Sequence, residues 1–80
     1  MDQGAAWKMI QTAFRCGAEL QGLMRGLKED LSADEYKSFA VGVATALDGI
    51  NVQLIERALK AHPELKDRIE SDLTRFGRIS

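Results

Sequence analysis

The sequence predicts an all-α fold: a long antiparallel helical hairpin with a short third helix, two copies of which join in a four-helix-bundle-like assembly. Three observations carry this reading. Apolar residues recur at helical spacing almost throughout, with no strand-like alternation and only one proline. A strong helix-start signal at Ser32–Glu35 divides two segments of similar length. The second of these is apolar on two sides, whereas a helix on the surface of a small protein shows one apolar stripe.

The first helix is expected over about 3–29, with Asp2 as N-cap, because a short side-chain acceptor there satisfies a free backbone N–H. Ala6, Ile10, Ala13, Gly17, Leu20, Met24, Leu27 and Leu31 alternate four and three residues apart, which is an a/d stripe. Met9, Cys16 and Leu23 widen it on one side. Trp7 and Phe14 stand seven apart on its other edge.

Ser32 and Glu35 form a capping box, each side chain meeting a backbone N–H of the other. Leu31 and Tyr36 are placed to staple the turn. About three residues separate the helices, so they should pack antiparallel.

The second helix is expected over about 33–61. Its first seam is Tyr36, Ala40, Val43, Leu47, Ile50, Leu54 and Ala61, with Arg57 intruding, and it should face the first helix. At about 1.5 Å per residue both helices are roughly 40 Å long and match end to end. The second seam is Val41, Thr45, Asp48, Val52, Ile55 and Leu59, about 140° around the helix from the first. Leaving Val41, Val52, Ile55 and Leu59 in water would forgo about 1.5–3 kcal/mol each. The sum rivals the whole stability of a small domain, about 5–15 kcal/mol. The second seam is therefore the expected oligomer interface, in a homodimer or against a helix of another protein. Asp48 falls in mid-seam, where a carboxylate must find a partner, reach water or take up a proton. With Asn51 it is a candidate for fixing register. Ser38, Gly42, Thr45 and Gly49 form a line of small residues, and Gly17, Gly22 and Gly26 recur in the first helix. Glycine inside a helix costs about 1 kcal/mol against alanine, so these argue for close backbone approach.

His62-Pro63 ends the second helix, with His62 as the expected N-cap of a third over about 63–76. Leu65, Ile69, Leu73 and Phe76 make its stripe, expected to fold over Trp7 and Phe14. Gly77 is placed to close it, with Arg75 and Arg78 at the negative end of its dipole.

Eighty residues imply one helical domain, 1–80, with a marginal core of its own. Charge is balanced, 11 basic against 12 acidic residues, which argues against a general polyanion binder. One cysteine excludes an internal disulfide, and no signal peptide is visible at the N-terminus. The apolar stretch 39–55 is shorter than the ~20 residues a bilayer needs and contains Asp48, Asn51 and Gln53, so no membrane association is expected. A cytoplasmic location follows as the expectation.

Chemistry is not expected. The single histidine and single cysteine fall in different elements, too few for a nucleophile–base set or a metal site. Glu-x-x-His pairs of a di-metal bundle are absent, and no strand precedes a glycine loop for phosphate. Catalytic, cofactor-binding and metal-binding residues are thus all expected to be none. The acidic residues Glu29, Asp30, Asp34 and Glu35 read as a solvated turn. The expectation is a non-enzymatic homo-oligomeric protein–protein interaction module: a small regulator, adaptor or chaperone-like protein. The alternative is a nucleic-acid-linked regulator, such as an antitoxin-like dimer, using the third helix with Arg75 and Arg78. The other cations of that helix, Lys66 and Arg68, alternate with acids and read as a solvated face.

Overall fold

A computed structural model describes residues 1–79 of the chain. Three helices account for almost all of it, and no strand occurs among the described residues. Helix α1 covers Gln3–Leu27. Helix α2 runs without a break over Ala33–Ala61. Helix α3 covers Leu65–Phe76.

Several boundaries have a local cause. The Asp2 carboxylate accepts from the Ala5 N–H at 2.7 Å and starts α1. At the start of α2 the Glu35 N–H donates to Ser32 Oγ (3.2 Å) and the Ser32 N–H donates to Glu35 Oε1 (2.9 Å). These bonds hold the Glu35 carboxyl below its usual range, the Ser32 backbone N–H contributing most. The corner after α2 differs from the expectation. His62 closes α2 rather than opening α3, its N–H donating to the Ala58 carbonyl. Pro63 and Glu64 form a turn, and α3 begins at Leu65 with no side-chain cap. Gly77 ends α3 in the left-handed region (φ 70°), its N–H donating to Leu73 O at 2.9 Å. A residue with a Cβ would be strained there.

The long helix contains a π-helical segment, Asn51–Glu56. A π turn fits one extra residue into the helix and rotates everything beyond it. That rotation explains a departure from the expected seam. In an unbroken α-helix Arg57 and Ala61 would continue the line of Leu47, Ile50 and Leu54. Instead Ala58 is fully buried, while Arg57 and Ala61 are exposed. The extra residue moves the seam forward by one and turns the guanidinium of Arg57 outward, where it donates to Gln53 Oε1 (2.6 Å).

The core sits at the open end of the hairpin, where all three helices meet. Ala6, Trp7 and Ile10 of α1, Ala58 of α2, and Leu65 and Ile69 of α3 form one buried cluster. Met9, Phe14, Leu59 and Ile79 pack around it. Arg68 lies over the Trp7 ring, 4.0 Å from its centroid, and covers it from solvent. Leu73 and Phe76, expected in the stripe of α3, are 42% and 53% exposed, whereas Ile79, beyond the end of that helix, packs on the cluster.

Towards the Ser32 turn the packing thins. Ala13 and Val43 are buried there, but Leu20, Met24, Leu27, Leu47 and Phe39 are only half-buried. Two helices touching each other bury one stripe apiece and leave both flanks open. The helical glycines do not serve the close backbone approach expected of them: even at Gly17, which faces α2, a Cβ would make ordinary van der Waals contact with Leu47 Cδ2 at 3.6 Å. Gly42 and Gly49 face open space instead.

Candidate interaction surface

The expected interface residues divide into two groups in the folded chain. Val41, Thr45, Asp48 and Val52 all lie exposed on α2, with Val41 at 64% and Val52 at 42%. Ile55 and Leu59 are half-buried within the chain itself, and Leu59 packs on the core cluster. The π segment holds Val52 of the first group and Ile55 of the second, and the extra residue it fits rotates Leu59, beyond it, onto the core cluster. The outward face of α2 is thus shorter than the sequence implies, ending near Val52.

Two details set its character. The Thr45 hydroxyl donates to the Val41 carbonyl at 3.0 Å. With its polar atom satisfied by its own helix, Thr45 presents a methyl group beside Val41. Asp48 makes no ion pair or side-chain hydrogen bond among the described residues and stays in solvent. The face is therefore an apolar strip with one carboxylate.

The shape of the whole chain leaves much surface uncovered. It measures 44 × 25 × 14 Å with a radius of gyration of 14.8 Å. A compact chain of this length has a radius of about 12 Å. Its accessible surface is 5698 Å². A folded monomer of 8.9 kDa exposes about 4,800 Å². The most apolar 18-residue window of α2 is only 6% buried. By length and composition alone, this 29-residue helix is also long enough to cross a membrane, which the stretch 39–55 did not suggest.

Little chemistry is assembled elsewhere. No group of three or more His, Cys, Asp or Glu residues that could hold a metal ion occurs among the described residues. Cys16 is a half-buried free thiol in mid-α1. His62 is engaged at the open end of the hairpin, with Nε2 2.8 Å from the Met1 carbonyl and Nδ1 3.0 Å from Glu64 Oε1. Those two acceptors, the carbonyl most of all, raise its pKa above 6.5. The partner carboxyl of Glu64 is lowered in turn, by a backbone hydrogen bond first and by His62 second.

Arg75 and Arg78, the candidate nucleic-acid contacts, line different hollows. Arg75 sits with Asp67 and Glu70, and its guanidinium lies 6.0 Å from the Phe76 centroid. Arg78 lines a larger groove with Lys8 and Arg15. Sequence reasoning paired the two arginines because they are close in the chain. It missed Lys8 and Arg15, which join Arg78 only because α3 folds back on α1.

The chain matches no known family model, and neither a curated protein nor a solved structure shows significant similarity to it.

Proposed function

We propose that the chain is a non-enzymatic interaction module that pairs with a second copy of itself through the outward face of α2, where Val41, Thr45, Asp48 and Val52 lie. The observation that supports this most is the surface balance. The chain exposes about 900 Å² more than a compact monomer of its mass, and one side of a standard interface buries about 800 Å². A thin hairpin paired with another becomes a four-helix bundle, the layered arrangement in which each helix has a neighbour on both flanks. A two-fold axis is the simplest way to close it.

Asp48 would then face its counterpart or lie at the rim. Polar residues in such seams select one register at a cost in stability. The small residues Gly42 and Gly49, which face open space in one chain, would let a second helix approach closely.

The test is a charge placed in the seam. Val41→Glu combined with Val52→Glu should leave helicity unchanged and abolish self-association in sedimentation velocity. Association that survives both substitutions would put the interface elsewhere. Asp48→Leu should raise the affinity of the pair and loosen its register; an unaltered pair would remove that role. A chain that partitions into vesicles instead of pairing in buffer would favour the membrane use of α2.

A further inference from the structure

A groove of about 1070 Å³ runs along the hairpin beside the C-terminal end of α3. Phe14 from α1, Leu47, Ile50 and Ile55 from α2, Leu73 from α3, and Ile79 supply its apolar lining. Its charged lining is Lys8, Arg15 and Arg78, with no aspartate or glutamate. In a chain with 12 acidic and 11 basic residues, that single sign is a local feature and not a consequence of composition. None of the three cations pairs with a carboxylate among the described residues. Arg15 makes only a 3.5 Å contact to Thr12 Oγ1.

We propose that this groove docks an acidic amphipathic helix of a partner protein, with apolar residues on the floor and carboxylates along the Lys8–Arg15–Arg78 rim. Its size suits such an occupant. A helix about 10 Å across fills this volume over about 14 Å if enclosed, or over about five turns if half-embedded. Ligand pockets of about 300–1,000 Å³ instead wrap around most of a small molecule. An apolar floor also matches one face of a helix better than it matches a phosphodiester backbone, which carries no apolar stripe. The cationic rim adds selectivity and speeds encounter. The groove shares no residue with the proposed dimer face of Val41, Thr45, Asp48 and Val52, so the two surfaces are separately testable.

Fluorescence anisotropy of the full chain with a designed peptide of about five helical turns is the test. The probe carries leucines on one face and glutamates on the other; a control replaces every glutamate with lysine. The acidic probe should bind at least about tenfold more tightly than the control and weaken as salt rises. Arg15→Glu with Arg78→Glu should lower its affinity about tenfold, and the milder Arg15→Gln with Arg78→Gln should lower it less, with circular dichroism unchanged. Equal affinity for both peptides, no binding of the acidic probe at about 1 mM, or indifference to both variant pairs would each overturn the proposal. So would a change in the molar mass of the free chain on Arg15→Glu with Arg78→Glu, which would make a second copy the occupant. Preference for phosphatidylglycerol vesicles over the acidic peptide would likewise make it a lipid surface.

Discussion

His62 reaches across the open end of the hairpin to Met1, its Nε2 2.8 Å from the Met1 carbonyl oxygen. Its other nitrogen meets a second acceptor, Glu64 Oε1, at 3.0 Å. Two acceptors need two N–H groups, and imidazole carries both only when protonated. The folded chain therefore holds the proton more tightly than the unfolded chain, and the pKa lies above 6.5. Such a group stabilises fully below its unfolded pKa, and that contribution is lost as pH rises through the raised value. The thermal midpoint should fall as pH rises above 6.5 through that value. His62→Gln should be less stable at the acidic end and flat across this window. A wild-type midpoint that is equally flat would remove the ring from the latch.

The π segment leads to a deletion experiment. Because a π turn holds one residue more than the α-helix it interrupts, removing the exposed Gln53 should restore α-helix with Ala58 still facing the core. Loss of its bond to Arg57 costs little at an exposed site. Removing Ala44, in regular α-helix, should rotate everything beyond it by about 100° and unfold the chain. Thermal unfolding by circular dichroism compares the two, and similar midpoints would contradict the register argument.

Ser32 and Glu35 make the turn between α1 and α2. Ser32→Ala removes the acceptor for the Glu35 N–H and should cost about 1 kcal/mol in urea unfolding. The lowered pKa of Glu35 contributes stability that is lost as pH falls through it, with the Ser32 N–H as its main cause. Glu35→Gln should therefore flatten part of the acid limb of the stability profile.

Trp7 is 5% exposed and its Nε1 has no hydrogen-bond partner among the described residues. A buried donor without an acceptor is costly, which offsets part of what the indole area contributes. Trp7→Phe should therefore be mild, under about 1.5 kcal/mol, although it also shrinks the plane beneath Arg68. Trp7→Ala should cost about 3–5 kcal/mol and leave α3 undocked. A large loss on Trp7→Phe would mean that the N–H is satisfied in solution.

The turn was legible because its cause is local. Ser32, Glu35 and Asp2 cap helices through atoms a few residues away, and Gly77 ends α3 by its own φ. The all-helical outline followed from spacing alone. The π segment was not legible, since no residue type in Asn51–Glu56 demands it. Its one trace was Arg57 at a position reserved for apolar residues. Ile55 and Leu59 share a line of spacing with Val41, and only the fold shows that both are half-buried within the chain, Leu59 against the core cluster. The basic groove lay beyond reach for a related reason: Lys8, Arg15 and Arg78 meet only through the fold.

The central claim is that α2 has an outward face made for a second copy. Light scattering on the purified chain, across a concentration series, tests it most directly. Pairing predicts twice the chain mass of 8.9 kDa, falling to the single-chain mass in Val41→Glu with Val52→Glu. A wild-type chain that stays at 8.9 kDa up to about 1 mM would contradict it.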